Sequence, residues 1–323
     1  MRAFALLLVI VTSNIYAQAI EWVTIGDPFN DPNPSINLPS SGCCTLFYSF
    51  DITRYEITNT QYAEMLNAVA ASDPNELWVF AMGANSAGGI TRTGSDGSYV
   101  YQVKSGFANV AVNFVSFNDG MRFANWLHNG KPVGAQDSNT TEDGAYTLTA
   151  TGLANNTIVR NPDAEYYLPN LEEWRKAAYF DSNTNTWFEY PAGSNIIMTG
   201  SIPGVDAGNN GHCGSTPNTP VDVGSYPLSS SPYGTFDQGG NVQEYTETIA
   251  GFTRVTAGGS YGNACAGTSI DSTITRGPTQ QGANYGFRIA RPGPAIEIPV
   301  PLIALALLAA MLVGVAARIS RLK

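Results

Sequence analysis

Histidine, sulfur and charge are all scarce in this chain of 323 residues. Two histidines, His128 and His212, cannot supply a three-histidine metal site and leave little for acid–base chemistry built on imidazole. Charged residues make up 13% of the sequence, about half the ~25% usual for a soluble domain. Basic residues are the scarcer sign, 16 against 26 acidic for a net charge of −10, and no Lys/Arg cluster precedes the last few positions. That excludes the electrostatic footprint needed to hold phosphate backbones, so no nucleic-acid partner is expected. Glycine (33), proline (19) and aromatic residues (11%) are plentiful instead, the composition of a loop-rich, exported globular protein.

The two ends read as addresses. Met1-Arg2 is followed by the apolar run Ala3 to Val11 and by Ala17-Gln18-Ala19, a small-x-small cleavage site, so residues 1–19 are read as a signal peptide. The alternative is an N-terminal anchor, for which the run is too short to span ~30 Å of hydrocarbon. At the other end, residues 292–297 form a Pro-rich lead. Ile298 to Ala317 carries no charge and is long enough to cross a bilayer, and residues 318–323 are basic through Arg318, Arg321 and Lys323. The expectation is a C-terminal transmembrane helix with a cytoplasmic tip and the body outside, the protein being secreted and held at the cell surface. The tail resembles bacterial sorting tails of the PEP-CTERM type but lacks their Pro-Glu-Pro signature, and a plain anchor fits equally well. Without its ends the body has 12 basic and 26 acidic side chains, a net of −14.

Four cysteines in an oxidising compartment point to disulfides. Cys43 and Cys44 are adjacent, and a bridge between them is strained, so at least one pairs elsewhere or stays free. Cys213 with Cys265 is the preferred bridge. No linker interrupts residues 20–291, which are read as one domain. Capping patterns predict three helices: Thr58 with Gln61, Ser116 with Asp119, and Asn170 with Glu173. Their inward stripes are Tyr62, Met65, Leu66 and Val69; Phe117, Met121, Ala124 and Leu127; and Leu171, Trp174 and Ala178. Alternating runs such as Ala145 to Thr149 read as short strands, and no long helix is expected from Asn195 to Arg291. The fold class is α+β with little regular structure.

Six motifs occur in order: Tyr55-Glu56-Ile57-Thr58-Asn59-Thr60-Gln61-Tyr62, Val112 to Asp119, Tyr167-Leu168-Pro169-Asn170-Leu171-Glu172-Glu173-Trp174, Gly234 to Tyr245, Gly258-Gly259-Ser260-Tyr261 and Gly286-Phe287-Arg288. Their order and spacing, from about Trp22 to Arg291, resemble the formylglycine-generating enzyme family, the sulfatase-modifying factors. The resemblance implies an α+β fold related to C-type lectins, stabilised by calcium, and in active members a copper- and oxygen-dependent oxidation of a substrate cysteine to formylglycine.

Two carboxylates flank the Gly239-Gly240 pair, an arrangement that can gather oxygen ligands for a hard cation. The resemblance assigns calcium to the side chains of Asp237 and Glu244 and the carbonyls of Gly240 and Val242, and a second site near Ala207 to Asn210. It also places a copper-binding cysteine pair at the second and seventh positions after Gly-Gly-Ser-Tyr, which here are Asn263 and Thr268. Cys265, at the fourth position, is the nearby thiol, and one thiolate cannot make a bis-thiolate copper site. No catalytic residue is assigned, and copper is not expected. Gln243 and Tyr245 replace the tryptophans usual in that motif. Phe287 is read as core and Arg288 as the partner of an acid.

Three readings of function follow: a surface-displayed binding or structural domain without the catalytic cysteines, a family oxidoreductase using a different metal or thiol arrangement, and a lectin-like module for an extracytoplasmic glycan or peptide.

Overall fold

The structure, a computed structural model, describes residues 19–28, 45–214 and 217–294. These form five helices: α1 (Asn59–Val69), α2 (Phe80–Ala84), α3 (Phe117–His128), α4 (Ala150–Asn155) and α5 (Leu171–Tyr179). The strands are short: β1 (Trp22–Ile25), β2 (Phe50–Thr53), β3 (Ile90–Thr93), β4 (Val100–Val103), β5 (Phe180–Asp181), β6 (Thr186–Trp187), β7 (Thr199–Gly200), β8 (Asn210–Gly211), β9 (Gln243–Ala250), β10 (Thr253–Ala257), β11 (Thr273–Arg276), β12 (Tyr285–Gly286) and β13 (Ala290–Pro292).

The three expected capping boxes form. Thr58, Ser116 and Asn170 each accept the amide three residues on, and Gln61, Asp119 and Glu173 reach back to the cap amide. Their inward stripes then meet: Tyr62 of α1 stacks on Phe123 of α3 at 6.0 Å, and Phe123 packs edge-on against Phe287 at 5.5 Å. A smaller cluster gathers Trp174, Tyr179, Phe180, Trp187 and Ile270 around α5. Phe287 is fully buried, as expected.

Two sheets position the rest. One has the order β1-β2-β13, so the first and last described strands lie either side of β2 and close the body as one unit. The other, in the order β11-β10-β9-β12, is antiparallel except for the β9–β12 pair. The β9–β10 register jumps from Arg254 opposite Ile249 to Thr256 opposite Tyr245, a bulge that bends β9 where its first residues enter the interior. Hairpin β3–β4 stands on α1, with Arg92 opposite Tyr101.

Two expectations need correction. Ala145 to Thr149 forms no strand, because Asn125 holds both backbone groups of Tyr146 (2.7 and 2.9 Å) where a neighbouring strand would, and Thr149 caps α4. Among the described residues no helix is long and apolar enough to cross a membrane, which overturns the transmembrane helix as an element of this fold. The segment 298–317 that suggested it lies outside the described residues, as do residues 1–18, 295–297, the tip 318–323, Cys43 and Cys44.

Candidate functional site

The turn entering β9 carries the expected cation loop. Asp237 (φ 61°), Gly240 (φ 109°) and Asn241 (φ 50°) all have left-handed backbones. Only glycine suits position 240, since a Cβ there would lie 2.5 Å from the His212 carbonyl. The loop is fastened from outside: Gly240 donates to Gly258 O, and Asn241 donates to His212 O, both at 2.9 Å.

Glu244 is held inside by a guanidinium. Arg288 forks onto Glu244, with Nε to Oε2 at 2.6 Å and Nη2 to Oε1 at 2.7 Å, and both side chains are completely buried. Trp174 adds its indole N–H to Glu244 Oε2 at 2.8 Å. The remaining Arg288 donors reach the Thr53 and Phe236 carbonyls at 3.0 and 2.9 Å. Arg288 therefore pairs an acid as the sequence implied.

Glu56, just before α1, completes the cluster by accepting Asn241 Nδ2 at 2.9 Å and the Val242 amide at 3.2 Å. Burial, and then the nearby Asp237 and Glu244 charges, push the Glu56 carboxyl well above the ordinary range. Asp237 accepts the Gly224 amide at 2.6 Å, and burial raises its carboxyl to about 6.

Of the ligands expected for calcium, Glu244 is the one most fully engaged by the protein itself. Three of the roughly four lone-pair directions of Glu244 are already met by Arg288 and Trp174. Among the described residues no three His, Cys, Asp or Glu side chains are arranged to hold a metal. Near the second expected site, Asp206 accepts from Gly208 N (3.0 Å), Leu228 N (2.5 Å) and Ser229 Oγ (2.6 Å), and Asn210 accepts from Ala207 N (2.7 Å).

The Gly258-Gly259-Ser260-Tyr261 loop leaves β10 over this cluster. A Cβ on Gly258 would meet Gln238 O at 2.9 Å and one on Gly259 would meet Gly267 O at 3.0 Å, so both glycines permit close backbone approach. Ser260 donates to Asn263 Oδ1 at 2.7 Å, and Tyr261 donates through its amide to Asn241 O at 2.8 Å and through its hydroxyl to Ala283 O at 3.1 Å. Thr268 is buried in a 3₁₀ turn (Cys265–Thr268) with its hydroxyl on Cys265 O at 2.8 Å. Cys265 is bonded to Cys213, as preferred from the sequence.

The two positions that the resemblance assigns to copper hold no thiol. Asn263 and Thr268 offer an amide and a hydroxyl, and the Cys265 sulfur is committed to a disulfide. The histidines are structural: the His212 ring lies 6.0 Å from Tyr261 with Nε2 at 2.8 Å from Thr219 O, and His128 Nδ1 accepts the Glu165 amide at 3.1 Å. Two amide oxygens beside the loop, Asn113 Oδ1 and Gln243 Oε1, are buried without a hydrogen-bond partner among the described residues. Sequence reasoning missed Glu56. It sits in the first motif, next to the helix cap, where nothing local marks it as a partner of residues 241 and 242.

The fold is shared with solved structures. CarF aligns with TM-score 0.52 at 20% identity, covering 85% of this chain and 99% of that one. Treponema denticola variable protein 1 aligns with TM-score 0.51 at 15% identity, covering 85% and 95%. PvdO from Pseudomonas aeruginosa has TM-score 0.46 at 16% identity, covering 85% and 92%. At such identities the first two show the fold alone. Comparison with curated protein sequences gives no significant match. Residues 37–292 match the family profile described as a sulfatase-modifying factor enzyme 1-like domain, so the chain belongs to the sulfatase-modifying factor family and has its C-type-lectin-like, α+β fold.

Proposed function

We propose that this protein is an exported, non-oxidising member of its family, whose scaffold binds an extracytoplasmic glycan or protein. The observation that carries this reading is the Cys213–Cys265 disulfide, with Asn263 and Thr268 standing where the paired thiols of a copper site would be. A two-thiolate cuprous site needs two free sulfurs at one point; Cys213 and Cys265 are the pair that meets here, and in the oxidised protein their bond to each other leaves neither as a thiolate, so the reduced protein is the stringent arm of the test. The disulfide itself agrees with an oxidising compartment and so with the leader read from the sequence.

The test is direct. Oxidised and reduced protein are incubated with cuprous ion, oxygen and a sulfatase-derived cysteine peptide, and the peptide is followed by mass spectrometry. The peptide should remain unchanged in both arms. Copper-dependent appearance of the formylglycine aldehyde in either arm overturns the reading.

A further inference from the structure

A broad concavity on the described surface lies away from the loops above. It is open, about 860 Å³, and is bounded by the segment Ser72 to Phe80 and by hairpin β3–β4. Arg92 of β3 forms its floor. The guanidinium lies 4.1 Å from the ring centroids of both Trp78 and Tyr99, a cation held between two aromatic faces. Asp73 fixes it further at 3.7 Å, while its two oxygens accept the Leu77 and Trp78 amides at 2.9 and 3.0 Å. Trp78 is in turn locked by its indole N–H on Ile90 O at 2.9 Å. The floor is therefore a preorganised donor, about a quarter exposed.

The rim is of different chemistry. Phe80, the first residue of α2, is 77% exposed and presents a bare ring to solvent beside the cavity. Glu76, with a left-handed backbone (φ 53°), and Asp96, in the β3–β4 turn, offer exposed carboxylates. An anionic ligand would face three carboxylates against one guanidinium that is already paired, and a small cation would use the carboxylates but leave the Phe80 face and the Arg92 N–H groups without a role. A purely apolar ligand would cover Glu76, Asp96 and the exposed part of Arg92 without replacing their water. The ligand that satisfies all of these is neutral, has a flat face of C–H groups for Phe80 and carries hydroxyls that both donate to carboxylates and accept from a guanidinium.

We infer that this cavity is a binding site for a neutral saccharide unit, stacked on Phe80 and hydrogen-bonded by Arg92, Glu76 and Asp96. The inference deepens the binding reading by naming the ligand class and the place, and it uses none of the residues of the Gly258–Thr268 loop.

The test uses the full chain and three probes, cellotetraose, maltotetraose and tri-N-acetylchitotriose, by titration calorimetry and saturation-transfer NMR. At least one should bind. Phe80→Ala and Asp96→Ala, both at exposed positions, should each weaken it at least about tenfold, the change given by losing ~1.4 kcal/mol, with an unchanged circular dichroism spectrum. No binding of any probe overturns the site. So does binding that both variants leave intact, or tighter binding of sulfated maltotetraose, titrated as a control beside the three probes, than of the neutral sugar. Protein that leaves the cysteine peptide unchanged but ignores all three sugars overturns this site and leaves the non-oxidising reading standing. Conversion of the peptide alongside sugar binding does the reverse.

Discussion

The Arg288–Glu244 pair is the residue-level feature on which the interior turns. Both side chains are fully buried, and the guanidinium also tethers β2 through Thr53 O and the pre-β9 loop through Phe236 O. Breaking one partner of such a pair leaves a buried charge without compensation. Glu244→Gln should therefore cost about 3–5 kcal/mol in urea-induced unfolding. Removing both charges, as Glu244→Leu with Arg288→Met, should recover only part of this loss, since the two carbonyls that Arg288 served then lack a donor. The loss for Glu244→Gln should be the same with and without a chelator, because its partner is a guanidinium. A loss seen only when calcium is present would mean that Glu244 serves an ion instead. The sequence showed that Arg288 needs an acid but gave no means of choosing it, because the choice depends on β12 and β9 running parallel, a long-range pairing with no local signal.

Among the elements, the helices were legible and the loops were not, for a physical reason. A capping box is a contact between residues three apart, and all three formed as the sequence implied. The loops are held instead by amide side chains from distant residues. Asn59 donates to the Phe107 and Val110 carbonyls, and Asn125 clamps Tyr146. No spacing rule shows such contacts, which is why Ala145 to Thr149 reads as a strand and folds as a tethered loop. The helix caps also carry a pH dependence. Asp119, the third residue of α3, is buried, and burial raises its carboxyl to about 6 despite hydrogen bonds from Ser116 and Gln281 and the nearby Arg122. The fold therefore binds this proton more tightly than the unfolded chain does. Its contribution is fully present below the ordinary Asp range near 4 and is lost as pH rises to about 6. Asp119→Asn should flatten the stability profile across that window, removing a pH-dependent change of up to roughly 3 kcal/mol. Urea midpoints at half-unit pH steps test this, and parallel curves for the two proteins would show that Asp119 does not titrate there.

At the scale of the whole molecule, the chain is closed in two places. The sheet β1-β2-β13 joins its described ends, and the Cys213–Cys265 disulfide joins the loop after β8 to the 3₁₀ turn after β10. The departure from the family's cysteine pair at positions 263 and 268 is legible because it depends only on which residues follow Gly-Gly-Ser-Tyr. The cavity over Arg92 is not, since Arg92, Trp78 and Tyr99 meet only once hairpin β3–β4 has folded onto the segment before α2. The disulfide spans 52 residues, and removing the loop-closure entropy of such a span from the unfolded chain stabilises the native state by about 4 kcal/mol at 25 °C. Its loss should be felt locally as well. Thr268 donates to Cys265 O and accepts Tyr179 OH at 2.9 Å, so the bridge anchors the turn that covers the Trp174 cluster. We expect Cys213→Ala with Cys265→Ala to lower the urea midpoint by an amount matching ~4 kcal/mol. Amide exchange should become faster first between residues 258 and 270, while α1 and α3 keep their protection. The double variant isolates this bridge from Cys43 and Cys44, and reducing agent should bring the unmodified protein to the same midpoint. If the variant unfolds at the original midpoint, the Gly258–Thr268 loop is held by its hydrogen bonds alone and the bridge does not stabilise the fold.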